Sequence, residues 1–126
     1  MRTTLLSVLT VLSMSGCSET PKSTTARQEL TVEQKAQVRQ MLLEKGLLTY
    51  KKSPLIGRKA SDEQTLLSLA DGTVSRTDGS ATYYFQVWRE DRALDYDGPA
   101  DEGDGGVSIE VANGVIVESS YVVAEF

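Results

Sequence analysis

The densest group of side chains able to do chemistry is acidic: Asp95, Asp97, Asp101, Glu102 and Asp104 fall within one short stretch. Two carboxylates brought together can act as acid and base, and three or more can hold a divalent cation. Asp95-Tyr96-Asp97-Gly98 has the look of a calcium loop, but Pro99 stands where the EF-hand pattern needs a ligand, and no aligned terminal Glu follows. Two expectations stay open: a cation site at Asp95, Asp97, Asp101 and Asp104, or a solvated loop over residues 91–106 whose charge keeps strand edges from pairing. Other chemistries lack their residues. With no histidine, Ser-His and Cys-His nucleophiles and histidine-assisted zinc sites are excluded, and no glycine-rich loop joins a strand to a helix. These residues predict no catalytic site, metal centre or cofactor.

The second candidate is aromatic. Tyr84 and Trp88, with Gln86 between them, share one face of a strand. Tyr and Trp are enriched at binding hot spots, so the pair is a possible interaction surface. The competing expectation is that helix packing covers them, or that Trp88 sits half-buried at a sheet edge.

These groups need elements to hold them. A helix is expected from Val32 to Lys45, with Thr31 and Gln34 forming a capping box and Gly46 a left-handed stop. Lys35 and Arg39 fall on its apolar face, where their stems can lie along the core while their charges stay in water. A shorter helix is signalled by Ser61, with Asp62 and Glu63 in its first turn and Gln64 completing another box. Leu66, Leu67 and Leu69 would bury, and Asp71-Gly72 would end it.

The rest alternates as strands. A two-residue Asp78-Gly79 turn would join Thr73–Thr77 to Ala81–Glu90 and set Val74 opposite Tyr83. Tyr83, Phe85 and Val87 then share one face. After the acidic loop comes a hairpin around Asn113-Gly114. A two-residue turn there would put Val107, Ile109 and Val111 on the face opposite Val115, Val117 and Val123. A three-residue loop, Ala112-Asn113-Gly114, pairs Val111 with Val115 and gathers these side chains on one side, and is the register expected. The fold class predicted is α+β: one or two short N-terminal helices on one face of a three- to four-stranded antiparallel meander.

The N-terminus carries an address. Arg2 precedes an apolar run, Leu5 to Leu12, too short to cross a bilayer as a helix. Met14-Ser15-Gly16-Cys17 follows and resembles the lipobox of bacterial lipoproteins, with Met14 in place of the usual Leu. The resemblance implies that residues 1–16 are a signal peptide and that Cys17, the only cysteine, becomes the acylated N-terminus; more than one acyl chain makes such an anchor stable. Ser18, where an Asp would signal inner-membrane retention, implies a periplasm-facing place on the outer membrane if the source is Gram-negative. Residues 17–29 are then the lipidated N-terminus and a polar tether, whose twelve residues 18–29 reach about 40 Å, and residues 30–126 one small domain.

Charge is uneven. Residues 19–60 hold nine Lys/Arg against four Asp/Glu, and residues 61–126 three against fourteen. Either the halves pair within the fold, or the cluster Lys45, Lys51, Lys52, Arg58 and Lys59 faces anionic headgroups or a polyanion. Nucleic acid is not an expected partner.

Ser61–Trp88, above all Thr77-Asp78-Gly79-Ser80-Ala81-Thr82-Tyr83-Tyr84-Phe85, together with the closing Asn113-Gly114 hairpin, resembles the SmpA/OmlA-type small outer-membrane lipoproteins. Leu69-Ala70-Asp71-Gly72 stands where that family has Leu-Gly-x-Pro. The resemblance implies a non-catalytic role in envelope assembly or integrity. Two functions are therefore expected: a lipid-anchored envelope protein that binds another protein, or an inhibitor or ligand- or cation-binding module using the loop 91–106.

Overall fold

A computed structural model describes residues 23–49, 52–89, 91–96 and 98–124. Five strands form one antiparallel sheet in sequence order: β1 (Ser23–Arg27), β2 (Gly72–Arg76), β3 (Ala81–Val87), β4 (Gly105–Ala112) and β5 (Val115–Val123). Between β1 and β2 lie helix α1 (Val32–Glu44) and a 3-10 turn (Ala60–Glu63) running into a single helical turn, α2 (Gln64–Leu67).

Helix α1 begins and ends as its sequence demands. Thr31 Oγ1 accepts from Gln34 N at 3.1 Å while Thr31 N donates to Gln34 Oε1 at 2.9 Å, closing the capping box. At the other end Gly46 is left-handed (φ +70°); Leu47 N donates to Leu42 O at 2.9 Å and Gly46 N to Leu43 O at 3.2 Å. This is the Schellman pattern, which satisfies carbonyls the helix leaves open. Val38 and Leu42 are buried.

The second helix departs from expectation. Ser61 does not cap it: the 3-10 turn starts one residue earlier and lacks a side-chain cap. Ala60 N is committed to Gly114 O at 2.8 Å, and the Glu63 carboxylate turns inward to Lys45 Nζ (2.7 Å) and Arg58 Nε (3.2 Å). These tertiary ties override the local box.

The fifth strand is the largest correction. Ser23–Arg27, expected within the tether 17–29, pairs along β2 from Ser23↔Arg76 to Arg27↔Gly72. All five side chains are exposed. An edge strand that buries nothing has no apolar alternation to read, and is held by backbone hydrogen bonds. Gln28 secures its end, donating through Nε2 to Ser68 O (2.8 Å) and Ala70 O (2.7 Å).

Both turns take the register not expected. In the first, Arg76 N donates to Ser80 O at 2.9 Å around Thr77-Asp78-Gly79, with Gly79 left-handed (φ +90°), so Val74 pairs with Thr82 rather than Tyr83. The Asp78 carboxylate accepts from Ser80 N (2.9 Å) and Ser80 Oγ (2.7 Å), which fixes the three-residue loop. In the second, Ala112 pairs directly with Val115, and Asn113 and Gly114 are both left-handed (φ 55° and 76°), as a two-residue type I′ turn requires. The register conflict is relieved one step further along: Val111 pairs with Ile116 and Glu110 with Glu118, so Val117 is a β-bulge. Ile116, not Val115 or Val117, is the residue delivered to the core.

The core lies on one face of the sheet. Phe85, Val107, Ile109, Val111 and Ile116 meet Val38 and Leu42 of α1, with Leu47, Leu55, Leu66 and Leu67 closing the sides. Each such side chain fully withdrawn from water contributes about 1.5–3 kcal/mol.

Candidate functional site

The loop between β3 and β4 is a folded object organised by Asp104. This carboxylate, only 2% exposed, accepts from Arg89 N (3.0 Å) and Arg92 Nε (3.2 Å) through Oδ1. Oδ2 accepts from Asp101 N (2.8 Å) and lies 3.1 Å from Arg92 Nη2. Burial alone would raise the Asp104 carboxyl; the amides of Arg89 and Asp101 and the Arg92 guanidinium outweigh it and hold it below 3.8. The backbone of Asp104 is fixed too, its carbonyl accepting from Ala124 N at 2.7 Å.

Trp88 forms the floor of this loop. It is 7% exposed, meets Tyr96 edge-on with ring centroids 5.8 Å apart, and carries the Arg92 guanidinium 5.7 Å from its centroid. The same guanidinium lies 4.1 Å from the Tyr96 ring, so the cation contacts both rings of the edge-on pair. From α1, Arg39 Nη2 donates to Trp88 O at 2.9 Å. Arg39 thus caps the end of β3 as well as lying beside the core.

The proposed cation ligands are therefore not equivalent. Asp104 is saturated from within the chain. Asp101 is exposed, with Oδ1 accepting from Glu102 N (2.7 Å) and Oδ2 3.8 Å from Arg92. Asp95 is exposed, and Asp97 lies outside the described residues. Among the described residues no three acidic, histidine or cysteine side chains are grouped to hold a metal ion.

The aromatic pair is likewise separated. Trp88 is under the loop, whereas Tyr84 stands 46% exposed on the sheet face away from the helices. Cross-strand neighbours explain its prominence: Tyr84 pairs with Gly72 on one side and Ser108 on the other, and Ser108 pairs with Ser120. Small residues leave a trough of about 590 Å³ bordered by Arg27, Val74, Gln86 and Val122. Sequence reading missed this floor; its signal is glycine inside strands, at Gly72 and Gly106, which often marks close approach of other atoms. At one end of the trough Asp71 Oδ2 accepts from Gln86 N at 2.7 Å. Burial pushes the Asp71 carboxyl up, opposed by that amide and by Lys35.

The basic cluster is partly consumed. Lys45 and Arg58 hold buried Glu63, Lys52 and Lys59 are exposed, and Lys51 lies outside the described residues. Cys17 and the whole lipobox also lie outside them. No helix among the described residues is long and apolar enough to cross a membrane.

The class defined is thus a five-stranded antiparallel meander, helices on one face and a tyrosine-centred trough on the other. No family model, curated protein or solved structure matches the chain.

Proposed function

We propose that this chain is a membrane-anchored, non-catalytic protein of the bacterial cell envelope that binds another protein through the uncovered face of its sheet. The anchoring rests on Met14-Ser15-Gly16-Cys17, with acylated Cys17 holding the domain at the periplasmic surface, at the outer membrane in a Gram-negative cell. The observation that carries the binding role is the trough around Tyr84, where an exposed aromatic ring stands among glycine and serine with Val122, 63% exposed, at its margin. A protruding partner side chain could enter beside the ring, and burying Tyr against it supplies the anchor typical of interfaces.

Affinity capture from detergent-solubilised envelopes tests this, using the acylated chain and its Tyr84→Ala and Val122→Asp variants. A partner retained by the native chain and lost by both variants supports the reading. Retention undiminished in both variants refutes the surface; capture of nothing refutes the role.

A second reading, a ligand-binding or inhibitory loop over 91–106, is favoured by the rigidity that the Arg92–Asp104 pair gives to exposed Asp91, Asp95, Asp101 and Glu102. Calorimetry with calcium and neutralisation of Asp95 and Asp101 distinguish it, since binding through Tyr84 is indifferent to both.

A further inference from the structure

The start of the first strand sets how far the folded part can stand from an anchor. β1 begins at Ser23, six residues after Cys17, and six Cα–Cα steps span at most about 20 Å. Ser23 lies at one particular pole of the sheet. It pairs with Arg76, next to the Thr77–Gly79 turn; Ser75 pairs with Ala81, Ala81 with Val111, and Val111 with Ile116, beside the Asn113-Gly114 turn. The segment 57–60 is laid along this same pole: Gly57 N donates to Ile116 O (2.7 Å), Ile116 N to Arg58 O (2.9 Å) and Ala60 N to Gly114 O (2.8 Å).

The loop 91–104 is at the other pole. Val87 pairs with Gly105, and Asp104 is tied to Ala124. The seven residue steps of β4 from Gly105 to Ala112 put about 23 Å between the poles.

The two poles differ in how far their acids are offset by bases. At the Ser23 pole Lys59 is exposed, the Arg58 side chain is 53% exposed, and Arg76 is half-buried, against exposed Asp62, Asp78, Glu110 and Glu118, with Glu63 enclosed by Lys45 and Arg58. At the far pole Asp91, Asp95, Asp101 and Glu102 are exposed, whereas Arg89 and Arg92 are turned onto the loop's own acids and carbonyls. Bases and acids nearly balance at the first pole, whereas the exposed acids of the second are repelled by an anionic bilayer.

We infer that the anchored domain rests on the phospholipid headgroups by the pole formed by Thr77–Gly79, Asn113-Gly114 and the segment 57–60, and holds the acidic loop away from the membrane. This rests on the lipid-anchor reading above. The short reach from Cys17 to Ser23 keeps that end near, and the charge keeps the domain from lying on its acidic end.

The test uses the full acylated chain on phosphatidylethanolamine–phosphatidylglycerol vesicles carrying a headgroup-attached nitroxide. Single cysteines at exposed positions, Thr77→Cys and Ser61→Cys at the near pole and Glu102→Cys at the far one, each carry a fluorophore; acylated Cys17 does not react. Strong quenching at Thr77 and Ser61 and its loss at Glu102 is the expected result. A Gly/Ser insert of roughly 30 residues after Pro21, adding a root-mean-square reach of about 30 Å, should weaken quenching at Thr77. Equal quenching at the three positions of a vesicle-bound chain, stronger quenching at Glu102, or no effect of the insert overturns the orientation alone. A chain shown by mass spectrometry to be unacylated at Cys17 takes the anchor reading down together with it.

Discussion

Replacing Asp104 by Asn keeps the shape of the side chain and removes its charge. The native carboxylate faces four donors: the amides of Arg89 and Asp101 and two nitrogens of Arg92. Asn offers one acceptor oxygen, so its NH₂ group must confront two of those donors. Losing the Asp101 hydrogen bond and the Arg92 Nη2 ion-pair contact, with a hydrogen bond to a charged group contributing about 1.5–3 kcal/mol, predicts destabilisation of about 3 kcal/mol. For a domain of this size that lowers Tm by about 12 °C or more. Trp88, the only tryptophan, lies under the loop and reports the change directly by fluorescence during thermal or urea unfolding. Acid adds an independent check. The Asp104 carboxyl is held below its unfolded value of 3.8, so the folded state binds fewer protons there. The stabilisation is complete above that value and disappears as pH falls through the lower folded one. Asp104→Asn should lack this acid-dependent portion of the loss. A cost below about 1 kcal/mol, with native Trp88 emission and an unchanged acid limb, would refute the assignment of Asp104 as the loop's organiser.

Other outcomes follow from single positions. At Gly105 an added Cβ would collide with the Val122 carbonyl oxygen, whereas at left-handed Gly114 it meets open space. Gly105→Ala should therefore cost about 3 kcal/mol and Gly114→Ala about 1 kcal/mol in urea denaturation; the reverse order would contradict the register. Glu63→Gln should cost about 1–2 kcal/mol, less than an enclosed pair, because Lys45 and Arg58 are 30% and 53% exposed and can turn to water. Hydrogen exchange should show alternate amides of Ser23–Arg27 slowed by at least about tenfold against an unstructured chain, and uniform fast exchange there would remove β1. The Asp71 carboxyl, raised by burial, works opposite to Asp104: its charged form is disfavoured in the fold, so Asp71→Asn should recover stability above the raised value if the Gln86 amide keeps its acceptor.

What the sequence discloses is what depends on neighbours along the chain. Thr31, Gln34 and Gly46 specify both ends of α1 because each acts within four residues of itself. The alternation in β3 identifies Phe85 and Val87 as inward because one face is buried. The two turns were decided by contacts that hydrophobic period does not record: Asp78 onto Ser80 in one, and in the other a bulge at Val117 that reconciles a two-residue turn with an inward Ile116. Trp88 shares a strand face with Tyr84, yet the chain beyond it folds back over the indole. A lone arginine within an acidic stretch, Arg92, is the legible trace of that closure, since buried carboxylates are found with a partner.

Sheet neighbours are also chain neighbours from β2 to β5, so each of those pairings closes a short or moderate loop. The first pairing differs: Arg27 must meet Gly72 and Ser23 must meet Arg76, with α1 and α2 lying between. Loop-closure entropy makes contacts distant along the chain slow to gain, and β1 brings no apolar surface to hasten its arrival. Assembly should therefore run from the hairpins outward, with the N-terminal strand seated last. A chain emerging from the ribosome would have its first-made strand waiting for the last half of the domain to form the edge on which it docks.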